Sequence, residues 1–163
     1  MKIAFDYQIF SLQAYGGISR YYSRIAQGLK DLNHSARIIA PLHKNKYLSL
    51  IDPDIVSGVY LEKYPPKSAK IISIFNSKYS KIQIKYWKPD IVHETYYTTK
   101  SLVSNRCSYV ITVYDMIHDL FPEDFHRNDN TIRLKRIAVE RADHVICISE
   151  STKNDLMRLY DRG

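Results

Sequence analysis

Cysteine is scarce in this chain, with only Cys107 and Cys147 among 163 residues, so no disulfide framework substitutes for a core. Cys147 lies in an apolar run and reads as a reduced core residue, which suggests a cytosolic chain; nothing in the sequence supports a bridge between the two. One tryptophan, five glycines and six prolines exclude collagen-like and low-complexity classes. No apolar run approaches the ~18 residues that read as a membrane span. The opening MKIAFD reaches an acid at Asp6, too soon for a secretory signal. Several chemistries are missing as well. There is no G-x-x-x-x-G-K-[ST] phosphate cradle and no G-x-G-x-x-G dinucleotide fingerprint. No Cys/His cluster has metal-ligand spacing, and no G-x-S-x-G elbow accompanies the adjacent His118 and Asp119. No metal and no cofactor is therefore expected.

What remains is an ordinary globular composition, 45% hydrophobic and 25% charged, long enough for one domain with a real core. Acids are outnumbered, 17 against 24 lysines and arginines, a net charge of +7. From Glu62 to Asp90 seven lysines face two acids, so most of the excess sits in one segment. At about 100° per residue, Lys67, Lys70, Lys78, Lys81, Lys85 and Lys88 fall within an arc of roughly 80°. Ile71, Phe75, Tyr79, Ile82 and Tyr86 fall on a neighbouring arc. A helix from about Lys67 to Tyr86 is expected, started after Pro65-Pro66 and ended before Pro89. Its lysine row is a solvated face, a surface for anionic lipid headgroups, or a phosphate-contacting strip. No recognised nucleic-acid module accompanies it, so nucleic acid is not expected.

Short buried runs alternate with helical periods along the chain. Lys2–Asp6, Ala36–Ala40 (stopped by Pro41), Ile55–Leu61, Ile91–His93, Tyr109–Tyr114 and Val145–Ile148 read as strands. Ile18, Tyr21, Tyr22, Ile25, Ala26, Leu29 and Leu32 trace one buried helical stripe, and Thr131–Ala142 another. A last helix runs toward Tyr160 behind a Ser149 or Ser151 cap. The alternation implies a single α/β, Rossmann-like domain over 1–163, with a mainly parallel sheet and helices on both faces. Ligands bind such sheets at the strands' carboxyl ends. There the sequence places Asp6, Gly16-Gly17, His93-Glu94, Tyr114-Asp115 and Ser149-Glu150.

Gly16-Gly17 opening a helix is either a tight βα turn or an anion site, with Ser19 and Arg20 adding a hydroxyl and a cation. His93 and Glu94 either bind sugar hydroxyls or sit in a solvated loop. Asp115, His118 and Asp119 crowd one strand end, a density of titratable groups that suggests a site. Ser149-Glu150-Ser151 is most simply a cap.

In chain order, GGISRYY (16–22), KPDIVH (88–93), VITVYDM (110–116), FPE (121–123) and ADHVICISESTK (142–153) resemble the amino-terminal half of family-4-type glycosyltransferases of the GT-B fold. The resemblance spans nearly the whole chain. It implies a retaining transferase whose active site lies between two Rossmann-like halves. The half at hand would bind mainly a sugar or lipid-linked sugar acceptor, through Arg20, His93, Glu94 and Tyr114. Gly16 and Gly17 would lie near the diphosphate of a nucleotide-sugar donor, with Asp115 and His118 as catalytic candidates and no metal. It implies a hexosyltransferase of polysaccharide, lipopolysaccharide or glycolipid synthesis, cytoplasmic and peripheral on the inner face of the cell membrane through its lysines. Many relatives carry His-Asp where this chain has Tyr114-Asp115, and tyrosine is not a comparable base near neutral pH. The sequence ends at Gly163, where the donor-binding half with its glutamate pair would follow, so the isolated chain is expected to be inactive. The alternative is a non-catalytic α/β module docking a membrane or protein partner through the lysine-rich helix.

Overall fold

The computed structural model describes residues 1–99, 101–102 and 107–160; the expected handover to a second half at Gly163 lies outside them. Six strands form one sheet: β1 (Lys2–Phe5), β2 (Ser35–His43), β3 (Val56–Tyr60), β4 (Ile91–Glu94), β5 (Ser108–Val113) and β6 (His144–Cys147). Their order is β3-β2-β1-β4-β5-β6 and every pairing is parallel. This is the Rossmann-like arrangement the alternation implied, with the chain switching direction across the sheet between β1 and β4. The helices are α1 (Gln8–Leu12), α2 (Gly17–Asp31), α3 (Ala69–Trp87), α4 (Ile117–Leu120), α5 (Thr131–Arg141) and α6 (Glu150–Tyr160). Among the described residues no helix is long and apolar enough to cross a membrane. Cys107 and Cys147 are not joined in a disulfide.

Burial alternates along the central strands as the pleat requires. Ile3, Phe5, Ile38 and Ala40 face α2, where Tyr22 and Ala26 are fully buried and Ile18, Tyr21, Ile25 and Leu29 pack around them. Leu32, expected in that stripe, is the exposed residue closing the helix. On the opposite face Ala4, Ile39 and Val92 pack with Ile84 of α3. Farther along, Tyr109, Ile111 and Val113 pack with Ala138 and Val139 of α5 and Leu156 of α6.

Three expectations need correction. β2 does not stop at Pro41 but runs through it to His43, with a register shift against β3 between Ile39 and Leu42. Proline fits where a bulge removes the need for its N–H. Gly58 on β3 accommodates the irregularity, because a Cβ there would lie 1.8 Å from the Ala40 carbonyl oxygen. The segment between β1 and Gly16, given no element by its sequence pattern, contains α1. Most consequentially, α3 is rotated from the orientation its pattern suggests. Its buried side chains are Ile72, Asn76, Ser80 and Ile84, whereas Ile71, Phe75, Tyr79, Ile82 and Tyr86 are all exposed.

The bulge supplies the reason. Beyond Ile39 the backbone groups of Leu42 turn toward α3, where the Asn76 amide answers both. Leu42 N–H donates to Asn76 Oδ1 at 2.8 Å, and Asn76 Nδ2 donates to Leu42 O at 2.9 Å. A carboxamide carries a donor and an acceptor on one small group, so it can satisfy both buried backbone atoms. Gln83 accepts from Ser57 Oγ at 2.6 Å on the same side. Lys67 and Lys88 are also displaced from the expected row. Lys67 precedes the helix and Lys88 closes it, both in the left-handed region at φ 62° and 51°. Lys70, Lys78, Lys81 and Lys85 stay on the helix, all exposed.

Candidate active site

At the carboxyl edge, the switch between β1 and β4 is tied by Asp6. Its buried carboxylate accepts from Thr95 N–H at 2.9 Å, Thr95 Oγ1 and Gln8 Nε2 at 2.6 Å. Burial raises the Asp6 pKa, and these bonds oppose the rise. Asp6 thus joins the loops after two strands into one platform, a role invisible in a lone acid ending a strand.

The glycine turn stands beside that platform. Gly16 precedes α2 with extended backbone (φ 170°), and Gln13 Oε1 accepts from Ser19 N–H at 3.4 Å. A Cβ on Gly16 would meet the Gln13 side chain, whereas one on Gly17 would meet nothing within 4 Å. Gly17 therefore satisfies no packing constraint of this chain, and its amide lies in a first turn whose N–H groups have no intrahelical acceptor. Arg20 is exposed in the same turn.

Tyr114 follows β5 and joins this helix through its ring, edge-on to Tyr21 at 6.0 Å and Tyr22 at 6.4 Å. Burial pushes the Tyr114 phenol well above its ordinary pKa, so it stays a neutral hydroxyl. The structure therefore brings Gly16-Gly17, Arg20's helix and Tyr114 to one edge. Asp115 follows Tyr114 and is exposed, with Oδ1 accepting from Ile117 N–H at 3.1 Å. Ser149 Oγ caps α6 at the same edge, accepting from Thr152 N–H at 3.1 Å, while the Thr152 hydroxyl reaches Tyr114 O at 3.5 Å.

His93 and Glu94 are placed differently. His93 is buried against Phe5 and Tyr22, with Nε2 2.9 Å from Thr112 Oγ1. Burial lowers its pKa to about 4, so the ring is neutral. Glu94 is 0% exposed and enclosed by Arg141 Nη2 at 2.7 Å, Tyr109 Oη at 3.0 Å and Leu102 N–H at 3.3 Å. Burial pushes its carboxyl up to about 8, with nearby Asp6 adding to the rise and Arg141 opposing it. In this structure neither side chain reaches the open edge. His118 is engaged as well, stacked on Phe125 at 3.7 Å with Nε2 3.5 Å from Asp129 Oδ2.

Two features escaped the sequence. Lys135 on α5 is 1% exposed and donates to Asp115 O at 3.0 Å and Asp119 Oδ2 at 2.6 Å, where Asp119 also accepts from Tyr160 Oη at 2.7 Å. A lysine in a helix reads as solvent-facing, and nothing local reveals that it pins the 115–119 loop. A cleft of about 250 Å³ also opens between Tyr15, Lys46, Ser49, Leu50 and Tyr60, next to the glycine turn in sequence. Among the described residues no group of His, Cys, Asp and Glu is arranged to hold a metal.

Compared with known proteins, residues 15–162 match the sequence model described as Glycosyltransferase Family 4. No curated protein matches the chain.

Proposed function

The chain belongs to glycosyltransferase family 4, and from that premise we propose that it is the acceptor-side half of a retaining GT-B enzyme using a nucleotide-sugar donor. The observation that carries this reading is Gly17. A glycine with open space at the amino terminus of the helix whose Tyr21 and Tyr22 pack on Tyr114 leaves room for a group that is not part of this chain. The partial positive charge there favours a diphosphate and stabilises charge developing on it as the glycosyl bond breaks. Tyr114, its hydroxyl buried, backs Tyr21 and Tyr22 at this edge, while exposed Asp115 orients the acceptor or receives its proton. Arg20 and the Tyr15–Tyr60 cleft extend the surface along which a saccharide acceptor lies. His93 acts from beneath by supporting Tyr22, Glu94 by anchoring the loop after β4, and His118 through its pairing with Asp129. No metal takes part in the reading, and the product belongs to polysaccharide or glycolipid synthesis.

Donor recognition falls to the second half, so residues 1–163 alone release no nucleoside diphosphate from nucleotide sugars mixed with hydroxyl acceptors. Release would overturn the division of labour. In the two-domain enzyme, Asp115→Asn lowers turnover on the order of 100-fold and His118→Ala lowers it less. Near-normal rates in both would move the chemistry elsewhere. Gly17→Ala leaves folding intact, since its Cβ meets nothing, but slows transfer. A chelator leaves the rate unchanged.

A further inference from the structure

Beyond the glycine turn lies the cleft of about 250 Å³ lined by Tyr15, Lys46, Ser49, Leu50 and Tyr60. Backbone hydrogen bonds preform it. Lys46 N–H donates to Ala14 O at 2.9 Å, and the wholly buried Asn45 donates from Nδ2 to Gln13 O at 2.8 Å. The loop after β2 is thereby fastened to the segment that leads into Gly16. Tyr47 meets the Tyr15 ring edge-on at 5.5 Å, and buried His43 lies against the Tyr60 ring at 5.9 Å. These supports hold apolar side chains in water, for Tyr15 is 59% exposed, Leu50 76% and Tyr60 43%. The charged member of the lining is Lys46, whose ammonium lies 5.3 Å from the Tyr15 ring centroid, and no acid lines the cleft. Ser49 Oγ already donates to Lys46 O at 2.8 Å.

We propose that this cleft is a binding site for one pyranose ring carrying an anionic substituent, either a uronate carboxylate or a phosphate ester. Its volume falls below the roughly 300–1,000 Å³ of pockets for drug-sized ligands, so it admits a single ring rather than a length of saccharide chain. The C–H face of a pyranose covers exposed tyrosine rings and takes that apolar area out of water, while the sugar hydroxyls stay solvated at the open mouth. The anionic substituent meets Lys46 in a charge-assisted hydrogen bond. Other small occupants fit less of the lining. A nucleobase would also stack on tyrosine, but its polar edge needs several in-plane partners, and the side chains here offer little beyond Lys46. A purely apolar group would leave the ammonium unanswered. The inference deepens the acceptor role proposed above and rests on it for what the bound sugar is used for. Tyr15 adjoins Gly16, so the acceptor is an acidic saccharide residue.

The test is ligand binding to the whole chain, followed through the backbone amide signals of isotope-labelled protein by NMR. Turnover is not read, so failure here and failure of the transfer reading are told apart. Methyl glucuronide and glucose-6-phosphate should each perturb Tyr15, Lys46 and Leu50, the tighter of them with a Kd on the order of 1 mM. Their comparison distinguishes carboxylate from phosphate. Methyl glucoside, which has the ring without the charge, should bind about tenfold more weakly than the better acidic ligand. Lys46→Met should erase that preference, and Tyr15→Ala should weaken all three ligands roughly tenfold. Both substitutions fall on exposed positions, and unchanged thermal unfolding by circular dichroism verifies that the variants fold. The proposal is overturned if neither acidic ligand perturbs these signals, if methyl glucoside binds as tightly, or if Lys46→Met keeps the preference. Inorganic phosphate acting as strongly as the sugars would reduce the cleft to a site for a free anion, and tighter binding of uridine would make it a nucleoside site. Either result also overturns the proposal.

Discussion

α2 and α3 pack on opposite faces of the same strand, β2, and each buries two polar and two apolar side chains, yet they place their remaining apolar residues oppositely. α2 puts Tyr22 and Ala26 into the core beside Ser19 and Ser23 and gathers Ile18, Ile25 and Leu29 around them. α3 buries Asn76 and Ser80 between Ile72 and Ile84 and leaves its aromatic arc outside. The sheet beneath explains the difference. Under α2 the strands present Phe5, Ile38 and Ala40, an apolar surface that rewards an apolar stripe. Under α3 the strand shifts register at Pro41 and presents backbone donors and acceptors, which only a polar side chain can satisfy. Helix orientation here follows the chemistry of the opposing strand rather than the helix's own periodicity.

The sharpest way to break this comparison is one residue type on both helices. Tyr22→Ala removes a fully buried ring and should destabilise the chain by about 3–5 kcal/mol. Tyr79→Ala removes a half-exposed ring and should change stability by less than about 0.5 kcal/mol. Urea unfolding measures both. Equal losses would mean that α3 packs through its apolar arc after all.

Asn76→Ala comes next. It leaves the Leu42 N–H without its acceptor, while the Leu42 carbonyl keeps the Ser11 and Tyr64 hydroxyls, and one unsatisfied group costs about 1–3 kcal/mol. A loss of about 2 kcal/mol is expected in the same urea experiment, larger than deletion of any exposed apolar residue of α3. If Asn76→Ala unfolds at the parent's midpoint, the bulge does not set the helix's orientation.

This helix also marks where the sequence stops being legible. The strand-helix order was readable because each element carries its own signal, alternation or a 3.6-residue period. The glycine turn and Tyr114-Asp115 were readable as edge positions for the same reason, since βα topology puts every loop after a strand on one side. The orientation of α3 was not readable, because its cause is a proline bulge 34 residues earlier in contact with Asn76. Glu94 follows the same logic. It looks like a loop acid until Arg141 arrives from 47 residues later and encloses it. α1, at five residues, is too short to show a period.

The two helices also differ in what lies beneath them. Under α2 sits a titratable ring, His93, whereas the polar groups under α3 are the amides and hydroxyls of Asn76, Gln83, Ser57 and Ser80. Burial lowers the folded pKa of His93 to about 4 from an ordinary 6.5. Between those values the unfolded chain binds more protons, so this contribution is complete above pH 6.5 and is lost as pH falls toward 4. It amounts to about 3 kcal/mol across the window. Glu94, with its carboxyl pushed up, contributes in the opposite sense, favouring the folded chain at low pH and losing that advantage as pH rises toward 8. His93→Gln should therefore remove its share of the acid-side loss and leave the share of buried His43, whose pKa burial also lowers, against the decline that Glu94 brings. An unchanged profile in urea titrations would show that His93 is already charged in the fold.

The smallest expected effect falls on Ile82. An isoleucine buried against protein loses several kcal/mol when truncated, about 2–5 for Ile→Ala. Serine in its place would add the burden of an unpaired hydroxyl. Ile82, 51% exposed on the outer side of α3, contacts solvent instead. Ile82→Ser should shift unfolding free energy by less than about 0.5 kcal/mol, close to the resolution of urea titration. Its value lies in being near zero while Asn76→Ala, six residues away on the same helix, is not. A loss above 1 kcal/mol at Ile82 would mean that this arc is held against the protein in solution.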